Sequence, residues 1–206
     1  MDYQVVSVLS QDKKKVKISL DNGESFFLYK GEAAKLSLFE NKILTEAEYQ
    51  QIITDILGKR AIKRAMHLLE RQQRTEKQLR EKLQQNAYPL ECIEQALNYV
   101  KSYGYVNDYQ YAATYIRYHQ EKESRQKLIQ KLTTRGISKE IIEQALEEEF
   151  EADERKQILE FLRKRKFDIE AADEATRRKT IQFLMRKGFK FRDILSAMRL
   201  ELENEW

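Results

Sequence analysis

The sequence predicts a mostly α-helical protein, in which three tandem three-helix repeats stack into an elongated array behind a small β-rich segment. The pentapeptide Ile-Glu-Gln-Ala-Leu occurs twice, at Ile93 to Leu97 and at Ile142 to Leu146. Upstream of each copy, Thr75, Leu79 and Leu83 match Ser124, Leu128 and Leu132 at a constant separation of 49 positions. A degenerate third copy follows, with Thr176, Thr180, Leu184, Gly188, Ile194 and Met198 answering Ser124, Leu128, Leu132, Gly136, Ile142 and Leu146. A period of this size marks one supersecondary unit used several times. With only one Pro and six Gly in 206 residues, and with helix-favouring Lys, Arg, Glu, Gln, Leu and Ala prominent, each unit reads as helices with short connections.

The first 30 residues follow a different rule. Val5-Val6-Ser7-Val8-Leu9 is β-branched, and Val16-Lys17-Ile18-Ser19-Leu20 alternates with period two. Asp21-Asn22-Gly23 supplies a hairpin turn into Ser25-Phe26-Phe27-Leu28-Tyr29, so a sheet of about three strands is expected. One face of such a sheet needs cover, and the apolar residues of Glu32 to Leu57 can provide it. Thr45 and Glu48 form a capping box, from which a helix runs towards Gly58.

From Lys59 the apolar spacing is helical. Ile62, Ala65, Met66, Leu68 and Leu69 form one face of a helix ending near Gln73. Thr75 caps a second helix that carries Leu79 and Leu83, with Asn86 as its left-handed stop. Pro89 opens a third, bearing Ile93, Ala96, Leu97 and Val100, which Gly104 ends. The second unit starts at Asn107-Asp108 with Tyr111, Ala112, Tyr115 and Ile116, then uses Ser124 and Ser138 as caps and Gly136 as a stop. The third uses Ile158 to Leu162, then Thr180 to Leu184 before Gly188, then Ile194 to Met198. The expected divisions are 1–58 for the β-rich extension and its helix, 59–106 for repeat 1, 107–150 for repeat 2 and 151–206 for repeat 3. Two departures stand out: Asn86-Ala87 replaces the Arg135-Gly136 and Lys187-Gly188 of later repeats, predicting a turn of different shape, and Ile194-Leu195-Ser196-Ala197-Met198 departs from the pentapeptide.

The composition excludes several function classes. Cys92 is the only cysteine, so neither an internal disulfide nor a cysteine-rich zinc site is expected. The start Met1-Asp2-Tyr3-Gln4 has no basic or apolar leader, and no apolar run reaches the roughly 18 residues a membrane span needs; a cytoplasmic protein with no membrane partner is expected. Glycine-rich phosphate loops are absent from the sequence, His67 and His119 lack metal-ligand spacing, and Glu147-Glu148-Glu149-Phe150-Glu151 lacks the ligand spacing of a calcium loop. No enzyme, cofactor, metal or small-molecule substrate is expected, and Cys92 reads as a packed thiol.

What remains is surface. Between Lys59 and Asn86 nine bases oppose three acids, and between Glu143 and Glu154 there are seven acids and no base; a basic stretch resumes at Arg155. Such alternation suits a polyanion, an acidic protein surface, or both. Tyrosines concentrate between Tyr99 and Tyr118, where they could stack on unpaired bases or anchor an interface. Tyr111 and Tyr115, four apart, read as core; Tyr99, Tyr103 and Tyr118 read as exposed. The candidate partner or DNA surface is therefore Arg71, Arg74, Arg80, Tyr99, Tyr103, Arg117, Tyr118, Arg135, Arg163, Arg165, Arg177, Arg178 and Arg186.

Three segments carry a family resemblance. Leu68-Leu69-Glu70-Arg71-Gln72-Gln73-Arg74-Thr75-Glu76-Lys77-Gln78-Leu79-Arg80-Glu81-Lys82-Leu83, then Gly104-Tyr105-Val106-Asn107-Asp108 leading to Tyr111-Ala112-Ala113, then Leu132-Thr133-Thr134-Arg135-Gly136-Ile137, resemble the RecX family of bacterial regulatory proteins. The likeness extends from about Lys59 to the C-terminus, and the β-rich segment resembles the extension of longer members. The resemblance implies a curved rod of three repeats that binds the RecA recombinase filament on single-stranded DNA. It also implies modulation, most often inhibition, of recombinase ATP hydrolysis, strand exchange and coprotease activity in DNA repair and recombination. A monomer with possible direct DNA contact is expected, and a stand-alone DNA-binding helical module is the competing reading.

Overall fold

The computed structural model describes residues 2–168 and 171–198, and it divides into two compact units at Asn107/Asp108. In the first unit, strands β1 (Tyr3–Ser10), β2 (Lys15–Leu20) and β3 (Ser25–Tyr29) form an antiparallel meander through the Asn22-Gly23 turn. Helix α1 (Lys30–Lys35) follows. Strand β4 (Ile43–Leu44) then pairs Tyr3 with Leu44, making a four-stranded sheet of order β3-β2-β1-β4 where three strands were expected. A two-residue strand leaves no period-two signal, which is why the alternation rule misses it. The alternation in β2 buries Val16, Ile18 and Leu20, and β3 adds Phe26 and Leu28.

Thr45 caps α2 (Glu46–Gln50) as expected, its hydroxyl accepting the Glu48 N–H while the Glu48 carboxylate accepts the Thr45 N–H at 2.9 Å. The chain then continues without a break through a π-helical segment, Gln51–Gly58, into α3 (Lys59–Arg71). Gly58 is therefore not a helix end: its φ of −62° and ψ of −49° are ordinary helical values. A Cβ at Gly58 would lie 1.8 Å from Gln95 Oε1, so this glycine serves close helix packing. The remaining helices of this unit are α4 (Glu76–Gln85) and α5 (Leu90–Ser102). Ile52, Ile53 and Leu57 of the π segment, Ala61 and Ala65 of α3, Leu79 and Leu83 of α4, and Cys92, Ile93 and Leu97 of α5 join the sheet residues in one core. Each large apolar side chain sealed there contributes about 1.5–3 kcal/mol, an upper range because the unfolded chain is already partly collapsed.

The second unit contains α6 (Asp108–His119), α7 (Arg125–Thr134), α8 (Lys139–Glu149), α9 (Glu154–Lys164), α10 (Glu174–Arg186) and α11 (Phe191–Ala197). Ala112, Ile116, Leu128, Leu132, Ile142, Ala145 and Leu146 share one core, and Ile158, Leu162, Leu184, Phe189, Ile194 and Met198 share another. Polar contacts join the two. The Gln157 side chain donates to the Gln120 carbonyl, the Arg125 N–H to Glu154 at 2.7 Å, and the Glu151 N–H to Gln120 Oε1 at 2.8 Å. The last eight residues assigned to repeat 3 lie outside the described residues.

The repeat frame holds in the caps and turns, with two instructive differences. The hydroxyls of Thr75 and Ser124, both buried, accept the N–H groups of Gln78 and Lys127 at 3.2 Å. In the third copy the cap is Asp173, which accepts the Thr176 N–H at 2.8 Å, so the cap of α10 lies three residues before the position equivalent to Ser124. A carboxylate at the positive end of a helix is a strong cap, and it prevails over the repeat register here. The hydrogen bond from Thr176 accordingly holds the Asp173 carboxyl below its usual range. The Asn86-Ala87 departure, expected to change the turn, leaves it intact. Ala87 takes the left-handed conformation at φ +54°, matching Gly136 at +86° and Gly188 at +94°; Asn86 itself, at φ −87°, is not the left-handed stop. In all three turns the two closing N–H groups bond alike, Ala87 to Gln84, Gly136 to Thr133 and Gly188 to Met185 at 2.8–2.9 Å, with Tyr88, Ile137 and Phe189 reaching one residue further back.

Candidate interaction surface

In the first unit the expected aromatic surface forms at the end of α5. Tyr99 and Tyr103 lie one helical turn apart with ring centroids 4.8 Å apart, and Tyr105 continues the stack at 6.0 Å. Gly104, at φ +71°, turns the chain so that Tyr105 comes back beside Tyr103. Tyr103 is 62% exposed and Tyr105 52%. Three adjacent rings on the surface exceed the isolated apolar exposure of ordinary protein surfaces. Tyr105 was not among the sequence candidates; its position immediately after a left-handed glycine was the available signal.

The basic candidates divide by what they touch. Arg80 is committed to structure: its guanidinium pairs with Glu94 and, at 3.0 Å, with Glu76, while Lys101 reaches Glu76 at 2.6 Å. These four charges clamp α4 to α5. The Arg80 hydrogen bond lowers the Glu94 carboxyl, and the Lys101 hydrogen bond is the largest cause lowering Glu76. Arg71 is exposed at the end of α3, and Arg74 is half-buried ahead of the Thr75 cap.

The second unit shows the same division. Arg117 forms a two-pronged pair with Glu149 at 2.7 and 2.9 Å, so part of the acidic stretch is already spoken for. Arg135 lies 4.6 Å from the Tyr115 ring centre and bonds the Tyr111 hydroxyl, and these two tyrosines, expected in the core, are half-buried and pack against it. Tyr118 is 75% exposed on α6. Arg165 stacks over Phe183 at 4.3 Å, Arg178 pairs with Glu174 at 2.8 Å, and Arg177 is half-buried. Arg163 and Arg186 are exposed, and Arg186 borders a cavity of about 250 Å³ with Lys127, Lys131, Phe183 and Lys187.

A further basic site was not singled out from the sequence. Lys15 and Tyr29 of the sheet, Arg60, Lys63, Arg64 and His67 of α3, and Asn86 and Tyr88 after α4 enclose a concavity of about 570 Å³. The bases of α3 were visible as part of a charge run, but their meeting with Lys15 depends on how the sheet docks. Cys92 is sealed in the core, its thiol donating to the Ile53 carbonyl at 3.3 Å, and burial pushes its pKa up to about 12. No helix of the described residues is long and apolar enough to cross a membrane.

The fold and its surface define a helical-repeat protein that presents charge and aromatic rings. Family models described as the first, second and third three-helix domains of RecX match residues 61–99, 107–146 and 153–198. A protein of Caldanaerobacter subterraneus named Regulatory protein RecX is 30% identical over 180 residues, covering 87% of this chain and 86% of its own. A Clostridium botulinum protein of the same name is 26% identical over 97% of this chain and 95% of its own. A crystal structure of regulatory protein RecX superposes with a TM-score of 0.60 at 23% identity, covering 97% of this chain and 100% of that one. RecX from Lactobacillus salivarius gives 0.58 at 21% identity, over 69% of this chain and 95% of its own. The chain belongs to the RecX family.

Proposed function

We propose that this protein binds the RecA recombinase assembled on single-stranded DNA and restrains its ATP hydrolysis, strand exchange and coprotease activity. Membership of a family of regulatory proteins carries the reading. The clustered Tyr99, Tyr103 and Tyr105 support it, because exposed aromatic rings are the residue type that anchors protein interfaces. The exposed Arg71, Arg163 and Arg186 are the bases available to a partner, whereas Arg80 and Arg117 act chiefly within the fold. The three stretches 59–106, 107–150 and 151–206 are the working repeats in this reading, preceded by the extension 1–58, and the protein acts as a cytoplasmic monomer without a catalytic centre.

Co-sedimentation with the cognate recombinase filament on single-stranded DNA tests the proposal. The wild-type chain should pellet with the filament, and the double substitution Tyr99→Ala with Tyr103→Ala should weaken that binding while leaving the melting curve unchanged. A wild-type chain that stays in the supernatant at micromolar concentrations would remove the basis of the proposal.

A further inference from the structure

The concavity between the N-terminal sheet and α3 has the chemistry of an anion site. Arg60, Lys63, Arg64 and His67 follow one another at i, i+3, i+4 and i+7, forming a basic face of α3 that flanks the buried Ala61, Ala65 and Leu68. Like charges at this spacing repel one another and weaken a helix. Elsewhere the chain does the reverse, setting opposite charges four apart: Asp55 with Lys59, Glu76 with Arg80, Glu160 with Lys164 and Glu174 with Arg178. The sheet then brings a further cation to the same place, because Lys15 of β2 is paired in register with Tyr29 of β3. Among the described residues, no carboxylate lines the concavity.

Two groups are occupied in building it. Arg60 donates from Nη2 to both carboxylate oxygens of Glu32 of α1, at 2.5 and 2.6 Å, and from Nη1 to the Phe27 carbonyl at 3.3 Å, and lies 4.6 Å from the Tyr29 ring centre. That arrangement fixes the sheet against α3. Arg64 uses its Nε on Asn86 Oδ1 at 2.8 Å, which orients the guanidinium and leaves its terminal nitrogens uncommitted. Among the described residues, no carboxylate lies within ion-pair distance of the Lys15, Lys63 or Arg64 side chains, Asp12 accepting only the Lys15 backbone N–H at 2.7 Å, while His67 sits 3.6 Å from Glu70. An oriented guanidinium with two ammonium groups around a space of about 570 Å³ matches the size and donor set of a phosphate-bearing ligand.

We infer that this concavity is a phosphate-binding site, with Lys15, Lys63 and Arg64 as the binding groups and Arg60 as the positioning residue. The phosphate comes from a nucleic-acid strand or from a free nucleoside triphosphate. The inference goes beyond the regulatory reading above, since it needs no recombinase, and either can fail without the other.

The test uses the full chain and fluorescence anisotropy of a labelled oligothymidylate, with competition by unlabelled ATP and by poly-L-glutamate. Lys15→Gln, Lys63→Gln and Arg64→Gln keep the aliphatic stems, and Lys164→Gln removes an equal charge from the other unit; thermal melts confirm folding of each. Removing a phosphate contact lowers the slope of log affinity against log salt by about 0.7 per cation for a single strand. The site is upheld if the Lys15, Lys63 and Arg64 variants each lose about that slope while Lys164→Gln does not, and competition by ATP then separates a nucleotide pocket from a strand path. If the three variants retain wild-type affinity for oligonucleotide and ATP, or if Lys164→Gln loses as much as they do, the site is refuted. Poly-L-glutamate binding that alone depends on the three cations would also overturn it, in favour of an acidic protein partner.

Discussion

Replacing Ala87 by glycine should stabilise the protein, against the general rule that glycine weakens folds. Ala87 is exposed and holds φ at +54°, where an L-residue pays roughly 1–2 kcal/mol for the crowding of its Cβ against the neighbouring carbonyl. Its side chain contributes little packing there. Glycine removes the crowding but gives the unfolded chain extra freedom, which offsets about 0.4–1 kcal/mol. The balance is a net gain of about 0.5–1 kcal/mol. In the first unit, with 107 residues up to Asn107, that corresponds to a rise of roughly 2–6 °C in melting temperature. Urea unfolding followed by far-ultraviolet circular dichroism should show a higher midpoint with an unchanged slope. Gly136→Ala, at φ +86° in the equivalent turn, should shift the midpoint the other way by a similar amount. A lower midpoint for Ala87→Gly, or the same direction for both variants, would refute the assignment of a shared left-handed turn.

Three further outcomes are expected. Gly188→Ala should cost about 2 kcal/mol or more, because beyond the strain of φ +94° its Cβ would lie 2.4 Å from Ser124 Oγ and 3.1 Å from the Lys127 nitrogen; a midpoint in urea equal to that of the wild type would contradict this. Glu76 and Glu94 ionise more readily in the folded than in the unfolded protein, so the clamp's contribution is complete above the unfolded carboxyl value of roughly 4.3 and fades as pH falls through the lower folded values. Glu94→Gln should therefore flatten the acid limb of a stability-against-pH curve, and an unaltered limb would count against the clamp. Cys92 should resist a thiol-disulfide reagent at pH 8 in the native protein and react fully once urea unfolds it; prompt native labelling would place it outside the core.

The helical part of the fold was legible because each repeat restates the same chemistry. Thr75 and Ser124 cap, Leu79, Leu83, Leu128 and Leu132 pack, and the helices of the second and third units end where Gly136 and Gly188 predict. What escaped the sequence were features without a local signature. Gly58 lies inside a continuing helix and serves packing, since Gln95, 37 positions away, occupies the space a side chain would need. Ala87 adopts a glycine-like conformation because the flanking packing of Leu83 and Tyr88 demands the same turn. Asp173 starts α10 early through a hydrogen bond that the repeat frame does not contain.

The candidate surface was legible in residue type and less so in role. Exposure of Tyr99, Tyr103 and Tyr118 agrees with the sequence reading. The arginines were harder: the sequence offers Arg80 only Glu76 four positions before it, and only the fold brings Glu94 to Arg80 and Glu149 to Arg117, across 14 and 32 positions. The converse holds for Lys15, which gains its significance by meeting α3.

The most direct measurement of the central claim is a titration of single-stranded-DNA-dependent ATP hydrolysis by the cognate RecA recombinase with this protein. The proposed function predicts that hydrolysis falls progressively and is largely suppressed at amounts near or below one copy per recombinase subunit. Hydrolysis that stays constant through a stoichiometric excess of folded protein would contradict it.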